Sequence, residues 1–321
     1  MENMSMYVTP EKIRKLADEK GYIIVAHNYQ IPELQQIADY LGDSLQLARI
    51  VTKIDAKKIL FLGVDFMAEV MKVLNPEKKI IVPVGYSTCP MANSLTVEDV
   101  LKYKEIYKGI PVVVYVNSRT EVKAVADVVC TSANAIDVVN ALDSDTILFG
   151  PDKNLASYVA EKTGKNIIPI PGETGYCYVH NYVKDSEIKK LMSKYPNAEV
   201  MVHPEVPKNI RNLAHFIGST SQMEKYPASS KANEFIVVTE VGMLAKLEKL
   251  YPDKVFIPVP SMVCYNMKKN NLRNTYLALL EEKIEVTLDS ELIAKARKAI
   301  ERMLEITEGA ERSERKVVKS A

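Results

Sequence analysis

GYIIVAHNYQ, residues 21–30, returns in character as PVVVYVNSRT (111–120) and again as AEVMVHPEVP (198–207). Each copy is an apolar, largely β-branched run that ends in polar side chains. A shift of 88 residues lays His27 on Tyr115 and on His203, and Tyr29 on Asn117 and on Glu205. The same shift carries ADYLGDS (38–44) onto ADVVCTS (126–132) and AHFIGST (214–220), so Ser44, Ser132 and Thr220 share one position. Self-similarity at a fixed period means that the chain is assembled from repeated supersecondary units.

The second half of the unit repeats too. KILFLGVD (58–65), TILFGPDK (146–153) and EFIVVTEV (234–241) read as short buried strands. A helical stretch follows each, and then a second apolar run that ends in cysteine: KIIVPVGYSTC (79–89), NIIPIPGETGYC (166–177) and KVFIPVPSMVC (254–264). Strand, helix, strand, helix, strand in every unit requires parallel sheets with helices on both faces, because parallel neighbours need a crossover and doubly covered strands read as continuous apolar runs. The predicted fold is α/β: three pseudo-threefold-related repeats, each a short parallel sheet with flanking helices, whose strand ends converge on a central cavity. Ligands bind beyond the carboxyl ends of strands in such sheets, where all the repeated polar positions lie. The units are expected at 1–110, 111–197 and 198–287, with a C-terminal segment, 288–321, contributing to the first. Within it LDSELIAKARKAIERMLEI (288–306) has helical periodicity, and ERSERKVVKSA (311–321) reads as a solvated, frayed tail.

Composition removes several functions. Forty-two basic against 41 acidic side chains leave a formal charge of +1, which makes no electrostatic case for nucleic acid or an anionic membrane. No apolar run approaches the roughly 20 residues of a bilayer span and the N-terminal segment has no signal-peptide core, so a cytoplasmic protein is expected. Neither GxGxxG nor a P-loop is present. Four cysteines in a reducing compartment point to metal binding or reactive thiols rather than disulfides.

Cys89, Cys177 and Cys264 are separated by 88 and 87 residues, the repeat period with a one-residue slip. Pseudo-symmetry brings them together, where thiolates can hold a soft metal or an iron–sulfur cluster. Three protein thiolates on a cluster leave one iron open to act as a Lewis acid on substrate oxygen. Cys130 falls on Gly42 and Gly218 and reads as a small packing residue. Ser44, Ser132 and Thr220 each open a helix-like stretch. They can cap it, and three helix starts facing one cavity would bind carboxylates or a phosphate. His27, His203 and Tyr115 form one ring of candidates for proton transfer and substrate contact, and Tyr29, Asn117 and Glu205 form the next. His180, three residues after Cys177, is a candidate metal ligand or substrate contact. His215, equivalent to Asp39 and Asp127, reads as helix surface.

AHNYQ (26–30), GDS (42–44), CPMAN (89–93), YVNS (115–118), TSAN (131–134), GYCYVH (175–180), HPE (203–205), GST (218–220), TEVGM (239–243) and MVCYNMK (262–268) together resemble the quinolinate synthase family, an iron–sulfur enzyme family of NAD biosynthesis. The likeness spans roughly residues 8 to 306. It departs at Tyr265, where the family usually carries proline after the third cysteine. The resemblance implies a [4Fe-4S] cluster held by Cys89, Cys177 and Cys264. It implies condensation of iminoaspartate with dihydroxyacetone phosphate to quinolinate, with loss of phosphate and two waters, and a functional link to an enzyme supplying iminoaspartate. In that setting His27, Tyr29, Tyr115, Asn117, His203 and Glu205 are expected to bind substrate and move protons, with Tyr29 and Glu205 as the acid–base pair. Ser44, Ser132, Thr220 and His180 are expected to contact substrate. Another iron–sulfur hydro-lyase and a metal-cluster sensor are the competing readings.

Overall fold

The structure, a computed structural model, describes residues 7–320, with the side chains of 311 and 313–320 left aside. Three separate four-stranded sheets carry the repeats. The first holds β1 (Tyr22–His27), β2 (Tyr40–Gly42), β3 (Lys58–Leu62) and β4 (Lys79–Ile81). The second holds β5 (Val112–Tyr115), β6 (Val128–Cys130), β7 (Thr146–Gly150) and β8 (Asn166–Pro169). The third holds β9 (Glu199–Val202), β10 (Phe216–Ile217), β11 (Glu234–Val238) and β12 (Val255–Pro258). The orders are β2-β1-β3-β4, β6-β5-β7-β8 and β10-β9-β11-β12, with every pairing parallel. The periodic pattern marks three strands per unit. The fourth, β2, β6 or β10, is a two- or three-residue edge strand too short to show a pattern of its own.

One repeated side chain holds each edge strand in register. The Asp39 Oδ2, Asp127 Oδ2 and His215 Nδ1 atoms accept the backbone N–H of Ile24, Val112 and Val200 at 2.7, 2.7 and 3.0 Å, while their own N–H groups donate back to the same three residues. His215 therefore stands in the bend before β10 rather than on a helix. It takes the place of an aspartate because a neutral imidazole nitrogen accepts as a carboxylate does.

The helix starts repeat as well, one residue earlier than the hydroxyls suggest. Asp43 and Gln46 form a capping box on helix Ser44–Val51, and Ser219 and Gln222 form one on helix Thr220–Ser229. Thr131 N–H donates to Asn134 Oδ1 at 2.6 Å, the corresponding half of the device. Each cap stabilises its helix by about 1 kcal/mol. It also relieves Ser44 and Thr220 of that duty. In the second unit the helix does not begin until Ala135, so Ser132 lies in the preceding turn.

The central strands of each sheet bury most of their apolar side chains, each contributing on the order of 2 kcal/mol by leaving water, while edge strands such as β8 and β10 are partly exposed. One core joins the first two units through residues such as Val25, Phe61, Val113 and Phe149. Helix Ser290–Ser320 inserts Ala296, Ala299, Ile300 and Met303 into that same core. Its backbone stays helical beyond residue 306, where the apolar periodicity stops. The continuation is rich in Glu, Arg and Lys, strong helix formers, and the Arg312–Glu308 pair spans one turn. Ala321 lies outside the described residues. The third unit builds cores of its own around Val200, Ile236 and Met262, and around Phe235, Met243 and Phe256. No helix among the described residues is long and apolar enough to cross a membrane.

Candidate active site

Loops beyond the carboxyl ends of all three sheets line one pocket. The first unit contributes His27, Tyr29, Ser44 and Cys89, and the second contributes Tyr115, Asn117, Ser132, Cys177 and His180. From the third come His203, Glu205, Thr220 and Cys264. Every residue singled out in the sequence as a site candidate is therefore brought to this pocket. Cys130 is not: it ends β6, is fully buried, and packs in the shared core. The corresponding Gly42 and Gly218 have no such room, because a Cβ there would collide with Gln46 or with Phe216 and Gln222. In the second unit Asn134 precedes its helix instead of lying in the first turn, and a side chain fits.

His27 and His203 occupy equivalent places and make equivalent bonds. Each Nδ1 accepts the backbone N–H two residues on, from Tyr29 at 3.1 Å and from Glu205 at 3.4 Å. Burial above all lowers both imidazoles to about 3, so both are neutral near pH 7. With Nδ1 accepting, the ring proton sits on Nε2, and His203 Nε2 reaches Ser132 Oγ at 3.2 Å. Both rings line the pocket and, neutral with the proton on Nε2, can donate a hydrogen bond there.

A single chain of hydrogen bonds crosses the pocket. Tyr29 Oη lies 2.8 Å from Thr239 Oγ1, and Thr239 Oγ1 lies 2.9 Å from His180 Nε2. His180 Nδ1 lies 2.9 Å from Glu205 Oε2, and Tyr115 Oη donates to Glu205 Oε1 at 2.6 Å. Burial opposes charge on Glu205. The charge of protonated His203 and His180, reinforced by the His180 and Tyr115 donors, outweighs it and lowers the carboxyl below its ordinary value. An ionised Glu205 only accepts, so His180 donates to it from Nδ1. Thr239 Oγ1 bridges His180 Nε2 and Tyr29 Oη: it accepts from Nε2 when that nitrogen carries a proton and donates to it when it does not. Burial, reinforced by the Glu205 charge, raises both phenols well above their ordinary value, so both enter a reaction protonated. Thr239 was missed in the sequence because it follows β11 at a position with no repeated partner. Its one signal is its place in TEVGM.

The depressed imidazoles carry a stability consequence. The unfolded chain binds these two protons below about pH 6.5, whereas the folded chain does not until about pH 3. The two sites therefore favour unfolding as pH falls through that window. His203→Asn, whose amide oxygen can accept the Glu205 N–H, should flatten the urea midpoint against pH on the acid side. An unchanged slope between pH 6.5 and 4 would mean that His203 is already charged in the folded protein.

The three pocket thiols are unpaired. Burial pushes Cys89 up to about 12 and raises Cys177 and Cys264, and Cys177 feels charge from both of the others. Thiols in such a low-dielectric space surrender protons to a bound cation rather than to water. His180 Nδ1 is 3.2 Å from Cys177 Sγ. Cys177, His180 and Glu205 offer ligand atoms all within 4.8 Å of one another. Beside the third cysteine, the Tyr265 N–H donates to Tyr178 Oη at 2.9 Å, a bond that proline could not make.

Comparison with known proteins agrees with this arrangement. A family model described as Quinolinate synthetase A protein matches residues 11–305. The chain is 57% identical over 296 residues to a quinolinate synthase of Thermotoga maritima, covering 92% of this chain and 99% of the relative. It is 50% identical to those of Pyrococcus furiosus (92% and 97% covered) and Methanocaldococcus jannaschii (94% and 100% covered). With the motifs spread along all three repeats and the match running nearly end to end, the chain belongs to the quinolinate synthetase A family and is an enzyme of that family.

Proposed function

We propose that the chain condenses iminoaspartate with dihydroxyacetone phosphate to quinolinate, with loss of phosphate and two waters, in the cytoplasm. The three repeats act as pseudo-threefold units, 1–110, 111–197 and 198–287, around one cavity. The observation that carries this reading is the meeting in one pocket of Cys89, Cys177 and Cys264, one from each repeat, with Tyr29, His180, Glu205 and Tyr115, which hydrogen bonds join through the buried Thr239 behind them. The donor set suits a [4Fe-4S] cluster: three partly buried thiols arrive from three loops, while the tightest ligand group is Cys177, His180 and Glu205. When bound, a cluster with three protein thiolates supplies an open iron as Lewis acid toward a substrate oxygen.

The protein's own groups do the rest. Both substrates are anionic, and the Ser44 and Thr220 hydroxyls at capped helix starts, with Ser132 in the equivalent turn, answer their carboxylate and phosphate oxygens. Asn28 Nδ2 donates to Thr220 Oγ1 at 3.1 Å, which leaves the Thr220 proton free for substrate. His27 and His203 donate from Nε2, and Asn117 orients a carbonyl. Tyr29 delivers a proton to a departing oxygen. When a proton taken up on the Glu205 and Tyr115 side protonates His180, its Nε2–H replaces the Tyr29 proton through Thr239. An enzyme that oxidises an amino acid to its imine must supply the labile iminoaspartate.

Anaerobically iron-loaded protein should therefore form quinolinate from the two substrates. Ser44→Ala and Ser132→Ala should raise KM by roughly tenfold or more, the loss of a hydrogen bond to a charged group, with iron content unchanged. A single-ion reading is favoured by the Cys177, His180 and Glu205 group. One stoichiometric divalent ion without sulfide would select it over the cluster. A full cluster without quinolinate would point to a different hydro-lyase.

A further inference from the structure

Each cysteine loop is held by a carboxylate from the neighbouring loop of its own unit. The Cys177 N–H donates to Asp152 Oδ2 at 2.7 Å, and the Cys264 N–H donates to Glu240 Oε1 at 3.0 Å. The Asp65 carboxylate lies near enough to the Cys89 backbone N–H to feel its pull, in the equivalent place. The three acids follow β3, β7 and β11, and the cysteines follow β4, β8 and β12. Parallel pairing of β3 with β4, β7 with β8 and β11 with β12 sets the two loops side by side, so the topology builds one contact three times.

The second carboxylate oxygen is engaged in every case. Asp65 Oδ1 accepts the Phe66 N–H at 2.8 Å, Asp152 Oδ1 accepts the Asn154 and Leu155 N–H groups, and Glu240 Oε2 accepts the Gly242 N–H at 2.7 Å. Each acid thus ties a cysteine backbone to the start of a helix. Asp152 and Glu240 are fully buried. Glu240 also pairs with Lys268 at 2.9 Å, and Lys268 donates to Tyr29 O at 2.6 Å. That bond extends the brace from the third unit to the first.

We propose that Asp65, Asp152 and Glu240 are positioning residues that fix the backbones of Cys89, Cys177 and Cys264 at the spacing a three-thiolate cluster needs. The proposal rests on the cluster reading above. An amide offers one acceptor oxygen where a carboxylate offers two, so Asp152→Asn and Glu240→Gln keep size and shape but cannot serve the cysteine N–H and the helix-start N–H groups together. Outer partners of metal ligands typically change metal retention by 10- to 100-fold.

The test compares anaerobically loaded parent, Asp152→Asn, Glu240→Gln and Cys89→Ala. It follows iron loss to a chelator by the fading of visible absorption and records the paramagnetic spectrum of the reduced cluster. The metal-free forms are melted in parallel. Both amide variants should lose iron at least tenfold faster than the parent, show an altered reduced-cluster spectrum, and melt with the parent when metal-free. Parent-like iron loss and spectrum would overturn the proposal, as would faster loss matched by an equal fall in metal-free stability. A parent that takes up no iron would instead remove the cluster reading beneath it, and Cys89→Ala marks what cluster loss looks like.

Discussion

Cys89→Ala should empty the protein of iron, while Cys130→Ala should leave it loaded and active. Anaerobically prepared parent should carry about four irons and four sulfides per chain, the content of one [4Fe-4S] cluster. Removing one of three thiolates should lower both toward zero, together with quinolinate formation. The two cysteines make a sharp pair because their surroundings differ so much. Cys89 lies on a loop beyond β4 and lines the pocket, whereas Cys130 ends β6 inside the core shared by the first two units. Its loss should leave a small cavity costing about 1 kcal/mol and nothing in the pocket. Equal iron in both variants, or an equal loss in both, would contradict the three-thiolate assignment.

Tyr29→Phe should lower turnover by about 10²- to 10⁴-fold, the range of a positioned general acid, equivalent to about 3 to 5 kcal/mol of barrier. The substitution is clean. Tyr29 is also tied down by its main chain, whose N–H serves His27 and whose C=O serves Lys268, and phenylalanine keeps both bonds. What disappears is the hydroxyl that begins the chain to Thr239, so KM and iron content should hold while kcat falls. Thr239→Val separates two versions of the role. If the proton returns along Thr239 and His180, kcat should fall although Tyr29 is intact. If Tyr29 exchanges protons with the pocket directly, Thr239→Val should turn over like the parent. Full activity in Tyr29→Phe would end its candidacy as an acid.

Much of the scaffold could be read from the sequence because the same physics was written three times. One apolar run is ambiguous, but three at a common offset, each followed by the same hydroxyl and later by a cysteine, identify strand ends of a parallel sheet. What stayed hidden lay off that offset or on the main chain. Asp152 stands one residue out of register with Asp65 under the 88-residue shift, so the shared hold on the cysteine loops did not appear in the alignment. The helix caps were read one residue late because Ser and Thr are such common caps, and the true caps Asp43 and Ser219 stand immediately before them. The protonation of His27 and His203 depends on which nitrogen meets a backbone N–H, a matter of loop geometry that no spacing reveals.

The repeated devices also divide the molecule into what kept its symmetry and what lost it. Edge-strand latches and the carboxylates behind the cysteines recur in all three units, and the helix-start box recurs whole in two and by half in the third, because holding a loop is the same task everywhere. The inward-facing rings do not recur: His, Tyr and His in one, Tyr, Asn and Glu in the next. A lopsided product cannot be made by a centre that looks alike from three directions, so the places where the copies disagree are where direction enters the chemistry. A variant that made the rings match again, such as Glu205→Asn to copy Asn117, would restore likeness between units and erase the bias that tells one end of a substrate from the other.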